Sequence, residues 1–125
     1  MIIDIEELKE IAEVEFNDIV KHVQIMDINE LRIFLIDGSF IDIWYSLKLQ
    51  NRYSYHWDRR HIDGSIYRHD NAPHQKWSYV STFPKHFHNK KEETVEESYI
   101  SDEPSKALRE FLSFARKVLA TNLEE

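Results

Sequence analysis

The chain has 125 residues, enough for one domain with a single hydrophobic core, and its apolar share of 42% is typical of a globular protein. It contains no cysteine, which excludes disulfides, thiolate catalysis and sulfur-ligated metals. No apolar run reaches the ~18 residues of a membrane span, and the acidic start does not resemble a signal peptide. We therefore expect a single cytoplasmic domain over residues 1–125, with no membrane association.

The net charge of −7 is distributed unevenly along the chain. Residues 1–30 and 92–125 are acidic. Residues 52–91 contain eight lysines and arginines against three aspartates, together with six of the seven histidines. Such a basic segment attracts anionic ligands, although solvated charges also cluster by chance.

The first half of the chain combines a helical pattern with strand patterns. Asp4 and Glu7 have the spacing of an N-cap and its capping-box partner, and apolar residues then recur at helical spacing. This pattern predicts a helix over residues 5–18. The Gly38-Ser39 turn predicts a hairpin between the second and third of the strands that follow. We place these strands at residues 20–27, 31–37 and 40–47.

The second half continues the sheet and ends in a helix. Strands over residues 52–59 and 65–70 flank the turn signal Asp63-Gly64. Residues 71–89 are expected to be irregular. Residues 94–100 are compatible with a short additional strand, and Pro104 fits the first turn of a helix over 104–120. The predicted fold is therefore α+β: an antiparallel meander sheet of four to five strands with the N- and C-terminal helices packed on one face.

Histidine and aromatic residues concentrate in three clusters, at residues 53–57, 67–74 and 83–88. In the first cluster, strand alternation directs Tyr53, Tyr55 and Trp57 to one face and His56 to the other. The aromatic trio fits a hydrophobic core better than a ligand platform. His56 is therefore expected to lie on the face opposite the core.

The length of the loop between the fourth and fifth strands decides which residues join His56. With an even-length loop, such as residues 61–64, Tyr67 and His69 share the face of His56. With an odd-length loop, Arg68 and Asp70 take that face instead. The sequence leaves both alternatives open.

The third cluster suggests acid/base chemistry. If residues 85–88 are extended, His86 and His88 point the same way, beside the cations Lys85 and Arg68. One neutral imidazole could then take the proton of an RNA 2′-hydroxyl, and a protonated one could give a proton to the leaving oxygen. The candidate catalytic residues are His86, His88, His74, His56 and Arg68. The candidate binding residues are Tyr55, Tyr67, His69, Asp70 and Lys85.

Two other interpretations of these histidines remain open. The same His-x-His spacing suits a metal ion, with His74 or Asp70 as a third ligand. The histidines could equally be structural or surface residues. The acid/base hypothesis requires no cofactor and no metal.

The three clusters, in this order, resemble a family of small prokaryotic proteins grouped with TumE-type toxins. The resemblance rests on Tyr-Ser-Tyr-His-Trp at 53–57, on the segment 67–74, and on Phe-Pro-Lys-His-Phe-His at 83–88. The chain departs from the family pattern at His69, where an aromatic residue is expected, and at Lys85, where a histidine is expected. The resemblance implies the toxin of a toxin–antitoxin pair, whose antitoxin commonly carries a helix-turn-helix domain.

Three functional hypotheses follow. The first is a toxin that acts as a metal-independent ribonuclease, with RNA as its target and a homodimer as one assembly to test. The second is a binding module that acts by occupying a protein or a nucleic acid. The third is a metal-dependent hydrolase with histidine ligands. Convergence of the histidines in one cleft would favour the first or the third.

Overall fold

The computed structural model describes residues 3–124; residues 1, 2 and 125 of the predicted domain lie outside this range. Helix α1 (Ile5–Glu15) precedes the sheet and helix α2 (Pro104–Glu124) follows it, and a short 3-10 turn covers Gln75–Trp77. Neither helix is apolar enough over a sufficient length to cross a bilayer. The strands are β1 (Val20–Asp27), β2 (Glu30–Leu35), β3 (Phe40–Tyr45), β4 (Tyr53–Arg59), β5 (Ser65–Asp70), β6 (His86–Lys90) and β7 (Val95–Glu97).

Helix α1 begins as the capping pattern predicts and ends earlier than predicted. The Asp4 carboxylate accepts a hydrogen bond from the Glu7 amide at 3.1 Å. The predicted end at residue 18 is wrong, because the helix stops at Glu15 and the Phe16 carbonyl accepts hydrogen bonds from the Ile19 and Val20 amides. These bonds turn the chain directly into β1.

The sheet is an antiparallel meander of seven strands in sequence order, which confirms the α+β class but corrects the predicted count of four to five. The irregular segment predicted over 71–89 contains strand β6. His86, Phe87 and His88 of this strand are all buried, and the two histidines share one face, as expected if residues 85–88 are extended. Strand β7 has only three residues and lies within residues 94–100, where the sequence indicated a short strand.

Both helices pack on the same face of the sheet, as predicted. The core combines the apolar stripes of α1 and α2 with the alternate residues of β2, β3 and β4. At the solvent edge, Arg109 of α2 pairs with Glu15 of α1 at 2.8 Å, and Arg116 pairs with Asp18 at 2.7 Å. The opposite face of the sheet, on which neither α1 nor α2 packs, is called the open face below.

Phe111 offers a test of this helix–sheet interface. It is 1% exposed, and its ring packs edge-on against Tyr55 of β4 and His69 of β5. Phe111→Ala should lower the free energy of unfolding by about 3–5 kcal/mol, because it removes apolar contacts and leaves a cavity. Urea unfolding measures the change. Tyr99→Ala, at a side chain that is 80% exposed, is the control and should change it by less than about 0.5 kcal/mol. Equal midpoints for the two variants would contradict this packing.

Candidate functional site

The loop between β4 and β5 decides which side chains form the site. Arg59 pairs with Ser65, so the loop contains the five residues 60–64, and the odd-length alternative is the one that the structure adopts. Asp63 stabilises the turn by accepting a hydrogen bond from the Ser65 amide at 3.0 Å, and Gly64 has a φ of +79°, which favours glycine. Arg68 and Asp70 consequently share the open face with His56.

Cross-strand pairing aligns the candidate residues in two rows on the open face. One row runs from Trp44 through Ser54 and Asp70 to His86, each residue directly opposite the next. The second row contains Asp42, His56, Arg68 and His88 in the same way. Directly paired side chains on one face are close neighbours, so the two histidines of β6 lie beside Asp70 and Arg68.

The segment before β6, residues 71–85, covers this part of the open face and forms a pocket. The ring centroid of Trp77 lies 6.2 Å from that of His86 and 5.6 Å from that of His88. The pocket has a volume of about 600 Å³. It is lined by residues of β3 to β6, of this segment, and of the loops before β4 and after β6, among them Trp44, Arg52, Arg68, Asp70, His74, Lys76, Trp77, His86, His88 and Glu92.

Asp70 is the centre of the polar contacts. One carboxylate oxygen, Oδ1, lies 3.1 Å from His86 Nε2 and accepts a hydrogen bond from the Ala72 amide at 3.0 Å. The other oxygen, Oδ2, accepts from Arg68 Nε at 3.1 Å and lies 3.8 Å from His88 Nε2. Burial raises the pKa of Asp70, but His86, the Ala72 amide and Arg68 together outweigh burial and lower it. Asp70 is therefore an anion at neutral pH.

His86 faces acceptors on both sides of its ring. Its Nδ1 lies 2.9 Å from the Pro84 carbonyl, so this nitrogen carries a hydrogen and donates it. Its Nε2 is buried and, although close to Asp70, is poorly aligned for a full hydrogen bond. Burial opposes the charged form, but the contacts with Asp70 and Pro84 outweigh it and raise the pKa of His86. His86 therefore keeps its proton to higher pH than an ordinary histidine, and its buried Nε2 faces Asp70.

His88 has the opposite tendency. Its Nδ1 lies 2.7 Å from the Glu92 carbonyl, so Nδ1 carries the hydrogen of the neutral ring and Nε2 keeps its lone pair. Burial lowers the pKa of His88, and the charge of Arg68 lowers it further, against the raising effect of the Glu92 carbonyl. His88 therefore favours the neutral form. Two histidines with ring centroids 4.9 Å apart thus have pKa values displaced in opposite directions.

Arg68 connects these groups to the rest of the pocket. Its guanidinium contacts Asp70 on one side and pairs with Glu92 on the other. A third contact joins Nη1 to His56 Nδ1 at 3.5 Å. Burial and the charge of Arg68 lower the pKa of His56, so this histidine accepts rather than donates towards the arginine.

Four of the ten predicted site residues come together at these contacts, and two more lie close by. His86, His88, Arg68 and Asp70 form the contact cluster. His56 touches it through Arg68, and the exposed side chain of His74 lines the pocket wall.

The other four predicted site residues, all candidates for binding, lie outside the pocket. Tyr55 and Tyr67 are buried in the aromatic core, and His69 stacks on Phe87 of that core. The positions of Tyr67 and His69 follow from the odd-length loop, because it turns both side chains to the helix-covered face. His69 also contacts Ser98 Oγ at 2.7 Å, and burial lowers its pKa to about 4. Lys85 donates to the Ile100 carbonyl near the start of α2 and does not line the pocket.

Several pocket residues were not predicted. Strand alternation in β3 could have indicated Trp44, since it places this residue on the face of Asp42, away from the buried Ile43 and Tyr45. Trp77, Lys76 and Glu92 lie in irregular segments, where no periodic pattern indicates which way a side chain points.

The cluster also offers the donor atoms of a metal site. One ring nitrogen from each of His86 and His88 and one oxygen of Asp70 lie within 4.8 Å of one another. Of the two third ligands considered for the predicted metal site, the structure places Asp70, and not His74, beside the two histidines. However, the Arg68 guanidinium lies 3.1 Å from the same carboxylate and would face the ion as a second cation. The donor set fits a metal ion, and the charge of Arg68 opposes the binding of an ion and of a proton alike.

Comparison with known proteins agrees with the motifs of the three clusters. A protein-family model described as toxin TumE matches residues 6–119. The chain matches no curated protein and no solved structure. The matched range includes every residue of the cluster and all seven strands. Since the match covers most of the chain, the protein belongs to the TumE family of toxins.

Proposed function

We propose that this toxin cleaves RNA in the pocket formed by Asp70, His86 and His88, without a metal ion. The observation that carries the proposal is the pair of histidines on β6, whose surroundings displace their pKa values in opposite directions. An acid and a base of this kind, side by side in a pocket, are what general acid/base catalysis at neutral pH requires.

The proposed reaction assigns one step to each histidine. Nε2 of neutral His88 takes the proton of a 2′-hydroxyl, whose oxygen then forms a bond to the neighbouring phosphorus. The bond from phosphorus to the 5′-oxygen breaks, and Nε2–H of His86 gives its proton to that oxygen. The products are a 2′,3′-cyclic phosphate and a 5′-hydroxyl, and the two histidines have exchanged protonation states. Asp70 keeps His86 charged before the reaction.

The charges of the pocket suit a phosphodiester although the whole protein is acidic. Three basic side chains, those of Arg52, Arg68 and Lys76, line it together with the carboxylates Asp70 and Glu92. With His86 protonated, the balance is positive. Arg68 lies between the carboxylates, where it can turn towards phosphate oxygens that gain charge in the transition state.

The nature of the substrate and products tests the proposal. Purified protein should cleave a single-stranded oligoribonucleotide and leave a 2′,3′-cyclic phosphate, and it should not cleave the same oligonucleotide with 2′-deoxy sugars, because the attacking oxygen is missing. Separation of end-labelled products measures both. Intact RNA at every pH tried, from preparations confirmed to be folded, would exclude the enzyme and favour the binding module.

An excess of chelator distinguishes the two catalytic hypotheses. Cleavage should persist after dialysis against chelator, since protons alone complete the proposed reaction. Loss of cleavage that returns when a divalent ion is added would instead support the metal-dependent hydrolase, for which the donor atoms within 4.8 Å are the specific observation.

A toxin family implies an antitoxin partner. We propose that the antitoxin of this protein carries a helix-turn-helix domain, as the resemblance implies, and that it blocks access to the pocket. RNA would then be the target of the free toxin.

A further inference from the structure

Trp44, which lines the pocket, lacks the aromatic contacts that the other two tryptophans of the chain make within the described residues. The chain contains three tryptophans. Trp57 is fully buried against Tyr67 and Phe114, and Trp77 packs on the two catalytic histidines with Lys76 Nζ 4.5 Å from its ring. Trp44 is half-buried on the open face. Among residues 3–124, it has no ring-stacking or cation–π partner comparable to these.

The place of Trp44 in the sheet relates it to the reaction centre. It belongs to the row that continues through Ser54 and Asp70 to His86, and it lines the same pocket. Neighbouring strands are about 4.8 Å apart, so Trp44 lies roughly 10 Å from Asp70 across the sheet. That distance corresponds to about three nucleotides at the 3.4 Å spacing of a stacked strand, and to fewer in an extended one.

We propose that Trp44 is the platform on which a base of the substrate stacks, within about three nucleotides of the phosphate that is cleaved. The inference rests on the proposed ribonuclease function and adds a subsite to it. The half-buried ring of Trp44, which lines the pocket without a stacking partner in the part of the chain that the structure describes, offers a face to an unpaired base. Stacking of this kind is the usual way in which proteins hold single-stranded RNA. A duplex would keep its bases stacked on each other, so the subsite selects single-stranded RNA.

The test compares Trp44→Ala with Trp44→Phe, which keeps a ring, and with Phe34→Ala as a matched control. Phe34 is an aromatic residue on the same open face, stacked with His22 at 5.8 Å, but it does not line the pocket. For a single-stranded oligoribonucleotide, Trp44→Ala should lower kcat/KM by about 5- to 150-fold, chiefly through KM. Trp44→Phe should restore most of this loss, and Phe34→Ala should match the wild type.

The position of the stacked base is found with substrates that lack one base. An abasic site is moved along the oligoribonucleotide, one position at a time. When the abasic site is at the position that faces Trp44, kcat/KM of the wild-type protein should fall by the same factor as in Trp44→Ala with the intact substrate. At that position the wild type and Trp44→Ala should then have equal kcat/KM. A difference that persists at every abasic position would overturn the stacking contact, because then no single base depends on Trp44.

A binding measurement separates failure of the subsite from failure of the proposed function. The uncleavable 2′-deoxy oligonucleotide is titrated against the wild type and each variant. If RNA is cleaved but Trp44→Ala matches the wild type in both binding and cleavage, the platform is overturned and the ribonuclease remains. If nothing is cleaved but binding still depends on Trp44, the platform is supported without the enzyme. If Trp44→Ala loses binding to the antitoxin but keeps RNA binding and cleavage, the platform is overturned and Trp44 is a contact for the antitoxin instead.

Discussion

Replacing either His86 or His88 with alanine should lower the rate of RNA cleavage by ~10²–10⁴-fold, which is the usual contribution of a general acid or base. The loss should fall mainly on kcat, because each proton transfer occurs in the transition state. Single-turnover cleavage assays measure it. Circular dichroism and urea unfolding of the same samples must show that each variant is folded, since both rings are buried against Trp77.

His22→Ala is the matched control for these variants. His22 is an exposed histidine on β1, at the far edge of the same sheet, and it lies outside the pocket. Its removal should leave cleavage unchanged within a factor of two or so, in line with the small effects of surface substitutions. Equal losses in His22→Ala and His88→Ala would refute the assignment of the catalytic pair.

The pH dependence of cleavage should be bell-shaped, and the proposed roles of His86 and His88 assign each limb. His88 must be neutral, so the rate falls as the pH drops through its pKa, which burial and Arg68 lower. His86 must be protonated, so the rate falls as the pH rises through its pKa, which Asp70 and the Pro84 carbonyl raise against burial. The optimum therefore lies between these values. Asp70→Asn should move the alkaline limb to lower pH, whereas a single limb would exclude a pair that works in opposite protonation states.

Expression of the wild-type chain without its antitoxin should arrest bacterial growth, and the His88→Ala variant should not. The toxin family predicts the arrest, and the proposed mechanism predicts that it depends on this ring. Colony counts and growth curves after induction measure the effect, with immunoblots to confirm equal accumulation of the two proteins. Co-expression of the product of the neighbouring gene should relieve the arrest by the wild type.

The variants separate an enzymatic toxin from one that only occupies a target. His22→Ala should remain toxic, because it leaves the pocket intact. If His86→Ala and His88→Ala accumulate and remain as toxic as the wild type, catalysis at this pocket is not the cause of arrest. Vigorous growth with abundant soluble wild-type protein would count against toxicity itself.

The sequence by itself determined the elements whose signals are local. The N-cap at Asp4, the apolar stripe of α1, Pro104 in the first turn of α2 and the Gly38 turn between β2 and β3 each depend on a few neighbouring residues. Alternation in β4 also identified the aromatic core face correctly. These features were predictable because side-chain periodicity and turn chemistry act within a few residues of the chain.

Only the tertiary structure decided the composition of the site. The five-residue loop turned Arg68 and Asp70 towards His56, and one residue fewer would have exchanged both for Tyr67 and His69. The sequence indicated strand β6 only as a condition, an extended 85–88, because five residues that follow an irregular stretch are too few for periodicity to establish a strand. Trp77 and Glu92 reach the pocket from irregular segments, whose direction depends on contacts with distant strands. The register of the strands and the path of the irregular segments decide which side chains meet. Local periodicity in the sequence predicts neither of them.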